Sequence, residues 1–227
     1  MLRALSPFIV PETGEIEFVN YTMSYRPDTP VILRSLNLRI PLGSKTALVG
    51  RTGSGKTSLI QALLRMVYVR EGDIRIGGHS VFDMDVQDLR RCFGVVPQSP
   101  YLFAGTIRSN LDRLGTLDAE TLQSAIQSVG LKFTLDHEVS EGGQNLSVGE
   151  RQLVCLARVI AADRKIILMD EPTSGLDPET DARISMVLAT TLRDKTVLTI
   201  AHRKESLGRY DRVIAMRAGE LVPGENL

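Results

Sequence analysis

The chain has 227 residues, enough for one large domain or a core with a small lobe and too few for a long multidomain machine. Its 27 basic and 27 acidic side chains cancel, so composition gives no general pull toward nucleic acid or acidic lipid. The balance of 43% apolar and 24% charged residues is that of a chain with a core rather than a disordered one.

No membrane-spanning run and no signal peptide are expected. The longest uncharged stretch, 92–107, is broken by Pro97 and Pro100, and the apolar start of the chain by Pro7 and Pro11. Cys92 and Cys155 lie far apart without metal-ligand spacing, which predicts buried reduced thiols and fits a cytosolic compartment.

Residues 1–13 read as a linker. Residues 15–25 then alternate apolar and polar side chains as a half-exposed strand does. Strands are also expected at 32–40 and 45–49, on either side of a Pro41-Leu42-Gly43 turn, and at 73–76 before Gly77-Gly78. Together these read as a small, mainly antiparallel β lobe. From Lys56 the period becomes helical, with Leu59, Ile60, Leu63, Leu64 and Val67 on one buried face. Further helices are expected at 83–92, 106–113, 118–129, 149–162 and 178–192, the third of these opened by Asp118 as N-cap and stopped by Gly130. The short apolar runs at 94–96, 166–169 and 197–201 lack alternation, as strands buried on both faces of a parallel sheet do.

Residues 45–60 carry the densest signal. A buried strand leads into Gly50-Arg51-Thr52-Gly53-Ser54-Gly55-Lys56-Thr57 and then a helix, which is the G-x-x-x-x-G-K-[ST] phosphate loop in its strand–loop–helix context. Glycines let backbone N–H groups close around phosphates, and the helix adds its positive N-terminal end. Lys56 is placed to reach the β and γ phosphates and Thr57 to ligate Mg²⁺.

A metal-bound nucleotide also needs a carboxylate at a neighbouring strand end, and the run 166–171 supplies Asp170 for the metal. Glu171 leaves the strand on the opposite side, where it can act as general base on a water. Gln98 and His202 follow two other buried strands. Because ligands gather at the carboxyl ends of strands in open α/β sheets, Gly50, Gln98, Asp170, Glu171 and His202 are expected to share one crevice. A lone His at a strand end is also compatible with a structural role. Ser147 and Glu150 have the spacing of a capping box at the start of the 149–162 helix, which accounts for them without a ligand. The same helix start, preceded by Gly142-Gly143, can also meet an anion.

With these motifs in view, the chain resembles the nucleotide-binding domain of an ATP-binding-cassette (ABC) transporter over nearly everything from Gly14 to Leu221. The resemblance rests on the phosphate loop, the Gln98 loop, an LSGGQ-like signature at 146–150, the Asp170-Glu171 pair, a Ser174-Gly175-Leu176-Asp177 D-loop and His202. It implies ATP and magnesium as ligands. Residues 50–57 with Ser58 would hold the phosphates, Tyr25 would stack on adenine, and Gln98 would join Thr57 and Asp170 at the metal. Glu171, His202 and Lys56 would be the catalytic groups. Ser147 and Gly149 would complete the ATP site of a partner domain, so that two domains sandwich two nucleotides.

Residues 102–111, 141–143 and 150–158 look most like the second such domain of multidrug-resistance-associated (subfamily C) exporters. Val148 and Glu150 depart from the general signature, and residues 172–177 are closer to other subfamilies.

The expected architecture is therefore α/β: a phosphate-loop core with a parallel sheet (about 14–98 and 159–227), a β lobe near the amino end, and an inserted helical lobe at about 99–158. The implied partners are a second nucleotide-binding domain and the transmembrane domains of the same transporter, at the cytoplasmic face of a membrane. No nucleic acid and no membrane-inserted segment are expected. Two other functions remain open on sequence: a regulatory ATP-binding domain that gates a channel or receptor, and a non-transport ABC ATPase. Against the latter, the stretch from Thr57 to Leu146 is too short for a long coiled coil, and the zero net charge disfavours a nucleic-acid clamp.

Overall fold

The computed structural model describes residues 14–173, 175–201 and 204–222; the 1–13 linker reading, Ser174 and His202 lie outside them. In chain order the elements are β1 (Ile16–Ser24), β2 (Val31–Ile40), β3 (Lys45–Val49), α1 (Lys56–Leu63), β4 (Tyr68–Ile76), β5 (His79–Ser80), α2 (Val86–Arg91), β6 (Phe93–Val96), β7 (Gly105–Thr106), α3 (Ile107–Leu111), α4 (Ala119–Ser128), β8 (Glu138–Val139), α5 (Val148–Ala161), β9 (Ile166–Asp170), α6 (Pro178–Ala189), β10 (Thr196–Ile200), β11 (Arg212–Arg217) and β12 (Glu220–Leu221).

A six-stranded sheet in the order β12-β11-β3-β10-β9-β6 forms the core, parallel except for the β11–β12 hairpin. Its strands are apolar on both faces, as their unalternating sequences predict. Ile167 and Met169 of β9 face the helical lobe, while Ile166 and Leu168 face α1 and the antiparallel sheet. That second sheet has the order β2-β1-β4-β5. Here the sequence reading needs correction: 45–49 joins the parallel core rather than the antiparallel lobe, because β3 pairs with β10 and β11.

β4 begins at Tyr68, earlier than the expected 73. Its polar first half pairs with β1 across a bulge, where Asn20 takes φ 47° and Gly72 φ 82°. The bulge also shifts the inward alternation of β1 from Ile16 and Phe18 to Tyr21 and Met23. α1 stops at Leu63, short of Val67, since Arg65 turns to φ 51°; Leu64 and Val67 still pack against the core from outside the helix. β11 and β12 were not anticipated. They are joined through Ala218 and Gly219, both at positive φ, as a two-residue hairpin requires.

The helical lobe packs α3 and α4 against α5, with the short β7–β8 ribbon beside them. Buried Asn110 fixes the entry to this lobe: its amide bonds the N–H and carbonyl of Phe103 and the carbonyl of Thr106. Both cysteines are free thiols, and burial pushes each thiol pKa up. The fold is thus a phosphate-loop α/β core with an antiparallel β lobe and an inserted α-helical lobe.

Candidate functional site

β3 delivers the chain to Gly50 at the middle of the parallel sheet, where strand order reverses. Gly50 (φ 153°) has no room for a side chain, since a β-carbon there would strike the Met216 carbonyl and stand 2.7 Å from Ser54 Oγ. Gly55 (φ 103°) is the N-cap of α1 and provides no side-chain cap, and the first turn of α1 holds no acidic residue. Each of the other α-helices among the described residues is capped by its own side chain: Asp85, Thr106, Asp118, Ser147 and Asp177 for α2 to α6. The first N–H groups of α1 are therefore those left for an external acceptor.

Lys56 is 6% exposed, and its Nζ donates to the carbonyls of Gly50 (2.8 Å) and Arg51 (3.1 Å). Burial lowers its pKa, and the charges of Glu171 and Asp170 oppose that shift, so both carboxylates bear on this ammonium. Ser54 Oγ is buried with no hydrogen-bond partner. Arg51, Thr52, Gly53 and Thr57 are exposed along the loop, while Ser58 is buried behind it.

Sequence reasoning missed that the end of β11 completes this region. Val49 to Ser54, Ala215 to Ala218 and Val222 line an open cleft of about 720 Å³. The N–H of Gly219 donates to the Ser54 carbonyl (3.0 Å), and the N–H of Arg34 to the Gly219 carbonyl (3.0 Å). The available signal was the apolar run 213–216 between two arginines.

At the neighbouring strand ends, Asp170 closes β9 half-buried. Glu171 follows at φ 47°, a backbone region that costs a non-glycine residue of order 1–3 kcal/mol. Its N–H donates to the Ile200 carbonyl of β10 (3.2 Å). This turn carries the side chain toward the end of β6, where Gln98 Nε2 donates to Glu171 Oε2 at 3.0 Å. Tyr25, 48% exposed, reaches the start of α1, its hydroxyl 2.8 Å from Ser58 Oγ.

The structure therefore brings Lys56, Asp170, Glu171 and Gln98 together, with Tyr25 beside the same helix start. Ser147 and Gly149 lie elsewhere in their bonding. Ser147 and Glu150 form the reciprocal capping box, at 3.2 and 2.8 Å, and Gly149 packs on Thr180 of α6. Ser147 and Val148 stay exposed, Val148 by 47%.

The arrangement fits a nucleotide triphosphate: an uncapped helix start, a buried ammonium and a glycine-lined loop converge on one point. Thr57, Asp170 and Gln98 offer hard oxygen donors of the kind Mg²⁺ takes when phosphates and water fill its remaining positions. Among the described residues no group of three His, Cys, Asp or Glu side chains could hold a metal unaided, and no helix is long and apolar enough to cross a membrane.

Comparison with known proteins shows the family of the chain. Residues 33–174 match the ABC transporter family. The chain is 43% identical to human ATP-binding cassette sub-family C member 3, over 92% of this chain and 14% of that protein. It is 42% identical to the probable multidrug resistance-associated protein lethal(2)03659 of Drosophila melanogaster, over 93% of this chain and 16% of that protein. It is 38% identical to the metal resistance protein YCF1 of Saccharomyces cerevisiae, over 100% of this chain and 16% of that protein. A solved bacterial Atm1-family ABC exporter with ATP bound superposes with a TM-score of 0.86 at 30% identity, over 96% of this chain and 39% of that one. The chain thus spans 14–16% of the length of these curated relatives. With its phosphate loop, strand-end carboxylates and inserted helical lobe, it belongs to the ABC transporter family, as a nucleotide-binding domain similar to those of sub-family C.

Proposed function

We propose that this domain binds and hydrolyses ATP with magnesium as the motor of a membrane exporter, at the cytoplasmic face of a membrane. It acts as one of a head-to-tail pair, with an identical or homologous second nucleotide-binding domain. Its helical lobe meets the transmembrane domains of the same transporter. One observation carries the ATP reading: α1 alone among the described α-helices leaves its start uncapped, directly ahead of buried Lys56.

In this reading residues 50–58 hold the phosphates, and Lys56 leaves its loop carbonyls to balance charge on the β and γ oxygens. Tyr25 supports the base. Glu171, held by Gln98, takes the proton of the attacking water, and His202 contacts the γ phosphate. Thr57, Asp170 and Gln98 would hold magnesium, which when bound neutralises phosphate charge. The Ser147–Gly149 start of α5, exposed at Ser147 and Val148 and buried at Gly149, with its own bonds spent on the cap, covers the partner's ATP; Val148 at that tip supports a contact made outside the chain.

A mixing experiment tests the pairing. Lys56→Ala chains keep an intact signature and Ser147→Ala chains keep an intact loop, so a mixed dimer holds one site with both halves whole. Hydrolysis above that of either variant alone is expected, as is a specific activity that rises with concentration. No recovery from two folded variants, with monomer size under turnover, overturns the paired motor.

A further inference from the structure

α5 carries one polar side chain deep in its apolar face. Gln152 is 2% exposed, followed by buried Leu153, Val154, Cys155, Leu156 and Ala157. A buried amide is costly unless bonded, and Gln152 Nε2 donates to the carbonyl of Pro97 at 3.2 Å. That carbonyl belongs to the peptide plane that ends in the nitrogen of Gln98. Because a peptide unit is planar, holding its oxygen restricts where the Gln98 Cα sits, the point from which the Gln98 side chain departs. Gln98 in turn donates to Glu171.

α5 grips β6 at a second level as well. A β-carbon on Gly94 would stand 2.5 Å from Val159 Cγ1 and 3.1 Å from Ile167 Cδ1, so this glycine answers to space rather than to backbone conformation. Gln152 and Val159 lie about two turns apart on α5. The helix is thus tied at two points to the segment leading to Gln98.

We propose that Gln152 is a positioning residue for hydrolysis, setting Gln98 against Glu171 by way of the Pro97 carbonyl. It thereby links the exposed Ser147 start of α5 to the catalytic carboxylate of its own chain. A partner that engages the signature of one chain thus also adjusts that chain's own site. The proposal rests on the reading of Glu171 as general base.

The test is a double-mutant cycle on steady-state ATP turnover in the full chain, using Gln152→Met, Gln98→Ala and the double variant, with thermal melting of each. Gln152→Met should lower kcat by about 10- to 100-fold, the scale of a small misplacement of a catalytic group, with KM for ATP and Tm near the parent's. In the Gln98→Ala background it should cost nothing further. Losses that add, or a folded Gln152→Met with the parent's kcat, overturn the proposal and leave Gln152 as a helix anchor. If the Met variant does not fold, Gln152→Glu keeps the length and turns the donor into an acceptor, and the same cycle decides. Glu171→Gln is measured alongside. Retained turnover there means the general-base reading has failed, whereas loss of turnover with an additive cycle refutes the Gln152 link alone.

Discussion

Gly149 of α5 lies against Thr180 of α6 so closely that a β-carbon on the glycine would stand 2.8 Å from Thr180 Oγ1 and 3.2 Å from Cγ2. The threonine cannot easily yield. Its hydroxyl donates to Asp177 Oδ2 (2.7 Å) and its N–H to Asp177 Oδ1 (2.9 Å), the cap of α6. The capped starts of α5 and α6 are thereby packed on each other through a missing side chain. Gly149→Ala should destabilise the domain by about 1–3 kcal/mol, the usual cost of overpacking. Thr180→Ala should relieve much of that loss, since it deletes both clashing atoms and leaves Cβ at 3.4 Å. Urea midpoints of the two single variants and the double variant check this. Strictly additive losses would mean that the glycine is needed for something other than Thr180.

Tyr25 offers two separable contributions, its ring and its hydroxyl bond to Ser58. Tyr25→Ala should weaken ATP binding by about 1–3 kcal/mol, taking base–aromatic stacking on nucleic acid as the guide. Tyr25→Phe, which keeps the ring, should stay close to the parent. Titration calorimetry with ATP and with inorganic triphosphate distinguishes them: a ring that stacks on the base makes no difference to triphosphate.

Glu171→Gln preserves shape and can still pair with Gln98, but an amide does not accept a proton from water. Turnover should fall by about 10²–10⁴, with ATP affinity retained. Single-turnover hydrolysis beside equilibrium binding is the measurement, and near-parent hydrolysis would place the base elsewhere.

Asp112 closes α3 by accepting the N–H groups of Leu117 (2.6 Å), Gly115 (3.1 Å) and Leu114 (3.2 Å). The bond from Leu117 is the main reason its carboxyl pKa is held below the ordinary value, followed by the bonds from Leu114, Thr116 and Gly115. Because the folded pKa is the lower one, the unfolded chain binds more protons in the window between the two. The stabilisation is therefore complete above the unfolded value, about 3.9, and fades as pH falls through the folded value. Asp112→Ala should lower the urea midpoint at neutral pH, and its gap from the parent should close in acid. A gap independent of pH would show that the loop is held by something other than the carboxylate charge.

What the sequence made legible was local. The phosphate loop occupies consecutive positions, and Asp170-Glu171 sits at the end of an apolar run, so pattern alone locates both. Sheet membership is not local. Residues 45–49 read as a strand, yet which sheet they join is decided by β10 and β11, which lie far along the chain. β11 itself has only a short apolar run between Arg212 and Arg217, too brief to separate from a loop by periodicity. The same holds for the contacts Gly149–Thr180 and Gln152–Pro97. Each residue is visible in the sequence, but its partner is chosen by packing.

The hairpin turn at Gly219 holds the phosphate loop from across the sheet. Its amide is bonded to the Ser54 carbonyl, its carbonyl receives Arg34, and the Met216 carbonyl backs Gly50, so the loop and β2 are stitched together by residues far along the chain from both. A segment that contains the whole phosphate-loop motif but not Gly219 lacks the contacts that shape the motif. The loop's shape therefore belongs to the assembled sheet rather than to its own run of sequence.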